Sequence, residues 1–381
     1  MAETALATVE KLYKNRGQTA KEFKGQGKKT VGYLCCQVPT ELITAAGVLP
    51  YRITGDVTQT ITEADKYVET IMCPFCRNAF DMALKGQYSY LDGFVSPHSC
   101  DNVLKLYDIW KYNVKPAYSH CLNVPHTDSA SSLQFFKEEI NTFKRSLERL
   151  TGKEITNQQI KEAIKAHNEY RALVRDFYEL SKADPPLVSG AERMKILLAG
   201  MRLPVKEASG LLANATKEIK ARKNTVEKKP RLMIWGPEID DVPFIQVIED
   251  MGANVVIDDI CLGTRPYSKD VKVTDDPADG LAEAYLKDVM CPRNYRIRTG
   301  SRKEDLDHRF GHILAYAKDW NVKGVILLVI NYCDTFEFES VEVRDYLQKA
   351  GFPCLSVEID YTLMSIDWLK TRIQAFLEMV S

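Results

Sequence analysis

The chain has 381 residues, 45% of them hydrophobic and 27% charged, with a formal net charge of -1. That length suits two or three domains rather than one core, and the near-neutral balance offers no basic field for nucleic acid. No apolar run approaches the roughly 18–20 residues of a membrane span, and residues 1–28 lack the apolar stretch of a secretory signal, so a globular cytoplasmic protein is expected.

Residues 4–26 have helical spacing, broken by Gly25 and Gly27. Residues 31–34 read as a short buried strand, 41–46 as a helix closed by Gly47, and 48–53 as a second strand. Further strands are expected at 92–96 and 117–119, with helices around 73–85 and 101–112. From about 129 to 222 the strand signals vanish, and 132–151, 157–182, 189–200 and 205–221 show charged helical periodicity. Residues 222–230, with Lys223, Lys228 and Lys229, read as a solvated hinge. Strands return at 231–235, 254–258, 324–330 and 354–359, with helices at 243–251, 301–320, 341–350 and 363–380. Strands alternating with helices imply parallel sheets. The fold class is therefore α/β: two parallel-sheet α/β domains, 1–128 and 227–381, joined by a helical segment, 129–226. No sequence repeat relates the two.

Ten cysteines stand out in a chain expected to stay reduced. Most single cysteines are buried core thiols, and Cys354, inside a strand, reads that way. Cys35 and Cys36, Cys100, Cys261 and Cys333 instead follow strands. In open α/β sheets, ligands bind at the carboxyl ends of the strands, so these thiols are placed to close a metal site between two domains. Thiolates select zinc, copper(I) or iron–sulfur clusters. Zinc favours paired short spacings, and Cys73-x-x-Cys76 stands alone as weak evidence for a ligand pair. The long spacings of Cys35, Cys100 and Cys333 suit a cluster assembled by tertiary structure, with three thiolates leaving one iron open.

Local strings sharpen this. The run GYLCCQVPTELITAAGVLP at 32–50, MCPFCR at 72–77, HSCD at 98–101, NYCD at 331–334 and VEIDY at 357–361 resemble, in order, motifs of the 2-hydroxyacyl-CoA dehydratase and benzoyl-CoA reductase family. The resemblance covers about residues 8–379. It implies two α/β domains and an iron–sulfur cluster, [4Fe–4S], held by Cys35, Cys100 and Cys333. It also implies a paralogous second cluster-bearing subunit, a separate ATP-hydrolysing iron–sulfur activator, an acyl-CoA or aroyl-CoA substrate, and oxygen-sensitive, anaerobic radical chemistry. Cys36 departs from the single cysteine of many members. It leaves open which of the adjacent pair is the ligand, and keeps open a branch in which two cubanes fuse into a double-cubane cluster. Cys73 recurs in the family without an assigned role.

The reactions so implied need a very low-potential electron, and dehydration passes through a ketyl radical. This chain has no phosphate-binding G-x-x-x-x-G-K-[ST] loop, in agreement with ATP hydrolysis on a separate activator. Protons must accompany the electrons: His98, two residues before Cys100, is the first candidate donor and His126 the second, each weighed against a purely structural role. Glu41 reads as a helix-capping carboxylate. The basic run Arg293, Arg296, Arg298, Arg302 and Lys303 either meets coenzyme A phosphates or, the preferred reading, is a solvated loop. Trp110, Tyr112 and Tyr118 read as core. The strings PYRITGD at 50–56 and NYCDTFE at 331–337 look closest to the benzoyl-CoA reductase side, which makes a reductase of aromatic acyl-CoA the leading expectation. A (R)-2-hydroxyacyl-CoA dehydratase subunit, a homodimeric double-cubane reductase of small molecules, and a non-catalytic cluster-bearing scaffold are the alternatives.

Overall fold

Short apolar β-rich runs build two sheets, and every strand pair in both is parallel. The computed structural model describes residues 3–223, 226–240, 242–296, 300–362 and 366–380. The first sheet contains β1 (Thr30–Tyr33), β2 (Leu49–Arg52), β3 (Gly93–Pro97) and β4 (Tyr118–Leu122), in the order β2-β1-β3-β4. The second contains β5 (Arg231–Trp235), β6 (Asn254–Asp259), β7 (Gly324–Ile330) and β8 (Cys354–Ile359), in the order β6-β5-β7-β8. The two orders are the same, although no sequence repeat announces it. β7, GVILLVI, is buried along its whole length, as a parallel strand covered on both faces must be.

Helices connect the strands. The N-terminal region carries α1 (Ala5–Lys14), α2 (Gln18–Gly25), α3 (Thr40–Ala45), α4 (Pro74–Leu84) and α5 (Asp101–Asn113). The long amphipathic stretch that follows folds as α6 (Ala130–Thr151), α7 (Asn157–Glu179), α8 (Gly190–Gly200) and α9 (Val205–Ala221). Thr156 and Gln159 close a capping box at the start of α7. The C-terminal region carries α10 (Val242–Asp250), α11 (Pro277–Glu283), α12 (Arg302–Asp319), α13 (Asp334–Lys349) and α14 (Ile366–Val380).

The central helices are mortar between the sheets. α7 packs on α3, and α8 packs on both α1 and α10. One apolar core runs without a break through Val31, Phe143, Leu197 and Ile326. Gly190 opens α8 so tightly against β6 that an added Cβ would lie 2.7 Å from Val255 Cβ. This core spans the proposed boundaries at 128 and 226. The expected hinge is tethered: Arg222 pairs with Glu192 at 2.8 Å and Lys228 with Asp184 at 2.7 Å, residues 224 and 225 lying outside the described residues. Among the expected core aromatics Trp110 is buried and Tyr118 partly so, but Tyr112 is 78% exposed. Helix α13 begins at Asp334, well before 341, because the turn at Cys333 starts it. Of the closing helix expected from 363, residues 363–365 lie outside the described residues.

Glu41 overturns its reading as a helix-capping carboxylate. It has no exposed surface, meets Arg171 Nη2 at 2.5 Å and accepts a hydrogen bond from Tyr285 Oη at 2.7 Å. It therefore ties the first domain to α7 and to the second. Burial alone would raise its pKa, but Arg171, His167 and Tyr285 together hold it below the ordinary carboxylate value. Glu41→Ala leaves Arg171 buried without its partner, and we expect a loss of about 3–5 kcal/mol in urea unfolding. A folded pKa below the unfolded one means the pair's contribution is complete above the unfolded carboxylate range. It should fade as pH falls through the lowered value, and an unchanged acid profile in Glu41→Gln would contradict this.

Candidate metal centre

The carboxyl ends of β1, β3, β5, β6 and β7 border one cavity of about 430 Å³, and the cysteines gather there. Cys35, Cys73, Cys76, Cys100, Cys261, Cys291 and Cys333 all line it. In the first sheet the strand order reverses direction between β1 and β3, in the second between β5 and β7, and ligands are expected at such switch points. Cys35 and Cys100 follow the first pair, Glu238 and Cys333 the second.

Backbone geometry separates Cys35 from Cys36. Cys35 has φ +64°, a left-handed conformation costly for a side chain with a Cβ, and lines the cysteine cavity. Cys36 instead lines a second, internal cavity beside Tyr33, Arg52 and His167. Gln37 holds the turn by donating from Nε2 to Asn294 Oδ1 at 2.9 Å. Tyr332, just before Cys333, has φ +62°, so a second strained turn carries a second cavity thiol.

Helix ends supply the electrostatics. Cys73, Cys100 and Cys333 are the N-cap residues of α4, α5 and α13. Three helix N-termini, each with unsatisfied N–H groups and a positive dipole end, therefore meet at the cavity, a setting that favours anionic sulfur. Asn102 stitches their loops: its Oδ1 accepts from Cys73 N at 3.1 Å and its Nδ2 donates to Tyr332 O at 3.1 Å. Arg265 Nη1 donates to Cys261 Sγ at 3.3 Å. Sequence reasoning missed Asn102 and left Cys73 and Cys76 as a weak candidate pair; both line the cavity. The signal was present, since Pro74 at the first helical position marks Cys73 as a helix start.

The thiols differ in acidity. A hydrogen bond from Cys36, with help from Arg52, the Gln37 N–H and Ser99, lowers Cys35 to about 6 against the pull of burial. Cys76 likewise lowers Cys73. Burial pushes Cys100 and Cys291 up to about 12 and Cys333 well above its usual value.

The histidines divide. His98 does not border the cysteine cavity; it lines an adjoining open groove and packs edge-on against His126, ring centroids 5.8 Å apart. His126 borders both spaces, with its Nδ1 3.2 Å from Arg293 Nη2. Of the basic run, Arg293 is buried and donates to the carbonyls of His98, Ser99, Val124 and Pro125. Arg296 is buried on the carbonyls of Lys287 and Val289, and Arg302 pairs with Glu342. Neither the phosphate-binding nor the solvated-loop reading survives for Arg293 and Arg296: they are internal clamps, one of them drawing the Cys291 loop against the first domain. Arg298 lies outside the described residues. Cys354 sits half-buried at the start of β8, away from the cavity, and is not fully a core thiol.

Among the described residues no three His, Cys, Asp or Glu side chains are grouped to hold a single metal ion. Seven thiols with helix N-termini beside them, sharing the lining with Glu238, Glu339 and His126, supply the soft donors that an iron–sulfur group takes.

Strand-tip thiols enclosed by two like parallel sheets define a class of two-domain α/β proteins built around a sulfur-lined cleft. Sequence comparison names the family: residues 35–380 match the one described as 2-hydroxyglutaryl-CoA dehydratase, D-component, and the chain belongs to that family. It is 28% identical to a benzoyl-CoA reductase subunit of Thauera aromatica, over 92% of this chain and 91% of that one. It is 25% identical to the (R)-phenyllactyl-CoA dehydratase beta subunit of Clostridium sporogenes, over 94% and 93%. It is also 25% identical to the beta subunit of (R)-2-hydroxyglutaryl-CoA dehydratase of Acidaminococcus fermentans, over 94% of both. Reductase and dehydratase relatives stand equally near.

In metal-free protein, Cys35 should be the first thiol alkylated by iodoacetamide, with a rate that rises as it ionises near pH 6. Cys36→Ala removes the hydrogen bond that favours the thiolate, so the midpoint should move upward; peptide mapping across pH would show an unmoved midpoint if the account is wrong.

Proposed function

We propose that this chain is the cluster-bearing subunit of a low-potential electron-transfer enzyme, and that its cavity holds an iron–sulfur cluster larger than one cubane. The observation that carries this is the set of seven cysteines on one cavity. A single cubane takes about four thiolates at most. A double-cubane cluster, formed by two cubanes sharing a bridge, uses more of those present. When bound, such a cluster supplies single electrons at very negative potential.

The chain's own residues set the surroundings. Three helix N-termini balance the negative charge of the thiolates. Leu34, Phe75, Ile330 and Phe336 contribute apolar surface to the cavity. Arg265 hydrogen-bonds the sulfur of Cys261, and such bonds tune a cluster's potential. His126, bordering both the cavity and the open groove, is better placed than His98 to donate protons to a bound substrate. The partners that accompany this reading are a second cluster-bearing chain and a separate ATP-hydrolysing activator.

A second reading has a specific observation in its favour. Cys35, Cys100 and Cys333 are only partly buried, whereas Cys73, Cys76, Cys261 and Cys291 are buried. Three accessible thiols suit one cubane with an open iron, acting on an acyl-CoA or aroyl-CoA as in benzoyl-CoA reduction or (R)-2-hydroxyacyl-CoA dehydration.

Iron and acid-labile sulfide on anaerobically purified variants decide between them. We expect Cys100→Ser and Cys333→Ser to lose most iron and Cys354→Ser to keep it. Cys76→Ser and Cys291→Ser should lose roughly half of it or more if the cluster is larger than a cubane, because their sulfurs are surplus to a three-thiolate site. Full iron in Cys76→Ser and Cys291→Ser would favour the single cubane; full iron in Cys100→Ser would contradict both.

A further inference from the structure

Behind the cysteine cavity lies a small chamber of about 20 Å³. Cys291, Pro292 and Glu339 line both spaces, so they are the wall between them. Two residues of the chamber carry buried polar atoms with no hydrogen-bond partner among the described residues, His312 Nδ1 and Glu339 Oε2. Buried polar atoms are rarely left so. The chamber exceeds the roughly 10–15 Å³ that one water requires.

The far atoms of both side chains are occupied. Glu339 Oε1 pairs with Arg309, and His312 Nε2 faces Asp259 Oδ2 at 3.4 Å. Asp259 is fixed in turn by Arg265 at 3.1 Å. The His312 side chain keeps 21% of its surface exposed, and Glu339 ends the row at the wall of the cysteine cavity.

We infer that the chamber holds one water bridging His312 Nδ1 and Glu339 Oε2, and that protons enter the cysteine cavity along His312, this water and Glu339. The inference rests on the electron-transfer reading above. For each electron taken from an external one-electron donor, one proton leaves bulk water. Imidazolium His312, its Nε2–H on Asp259, releases its Nδ1 proton to the water as the water passes one to Glu339, and the neutral ring regains a proton from bulk water by turning Nδ1 outward. The carboxylate becomes a neutral acid, so the added electron leaves the net charge of the cavity region unchanged.

The groups facing Glu339 are compatible with this. Arg309 stabilises its charged form, whereas Asp305 on α12 and Glu342 on its own helix disfavour it. Arg296 and Cys291 also line the chamber. Burial outweighs Arg309 and raises the Glu339 pKa above its ordinary value, which favours the neutral acid.

The test is a redox titration of the full chain, loaded with its cluster, followed by electron paramagnetic resonance at several pH values. The wild-type midpoint potential should fall as pH rises; Glu339→Gln should lose that slope, and Glu342→Gln, which removes another Arg309 partner, should keep it. His312→Phe should keep the slope, since equilibrium is blind to the path, but slow reduction by a viologen radical roughly tenfold or more. A wild-type slope in Glu339→Gln, an unslowed His312→Phe, or a crystal structure without density within reach of both atoms would each overturn the relay. Iron measured on the same samples separates the two readings. A wild-type chain that loads no iron contradicts the cluster, whereas normal iron with an unchanged slope contradicts the relay alone.

Discussion

The carboxyl ends of two parallel sheets share one cavity, and that shared edge demands polar partners. Strand tips and helix N-termini expose backbone groups that cannot be buried unpaired. The chain answers with buried ion pairs and clamps across the junction: Glu41 with Arg171, Arg52 with Glu238 through Nε at 3.1 Å, and Arg293 on four carbonyls. Such pairs contribute little net stability compared with apolar substitutes, but they are costly to break singly. Their effect here is positional. They fix the distance between two sets of strand-tip cysteines that no covalent link holds.

Position is what a sulfur-lined cavity needs. Cys35 and Tyr332 occupy left-handed backbone conformations at the two turns nearest the centre, and Asn102 ties the loops of Cys73, Cys100 and Cys333 into one unit. Strain and stitching of this kind hold ligands ready before a group binds. The matching strand orders of the two sheets make the cleft nearly symmetric in design, with thiols from each sheet. The chain belongs to the 2-hydroxyglutaryl-CoA dehydratase D-component family, and its relatives are named as subunits of a benzoyl-CoA reductase and of acyl-CoA dehydratases.

Much of the fold was legible because parallel strands are written as unbroken apolar runs; β5, β7 and β8 begin and end where the sequence puts them. The strand-tip rule also brought Cys35, Cys100, Cys261 and Cys333 to one place. What stayed hidden depended on tertiary contact. Cys291 follows an irregular turn after α11, where no strand announces a tip. Arg293 looks like part of a basic surface run, and only its four carbonyl partners reveal a clamp. Glu41 occupies a helix's first turn, as a capping residue would, yet its charge is spent on a residue far along the chain. Cys73 and Cys76 carry a spacing too common to interpret until the N-terminus of α4 is seen to face the cavity.

Anomalous diffraction at the iron absorption edge, from crystals grown without oxygen, bears most directly on the cluster. The account predicts several iron positions inside the cavity, bounded by Cys35, Cys100 and Cys333 and extending toward Cys76 and Cys291. Iron confined to a single cubane at the first three would narrow the proposal to the smaller cluster. A cavity free of iron in protein proven competent to load it, or iron bound elsewhere, would contradict the account.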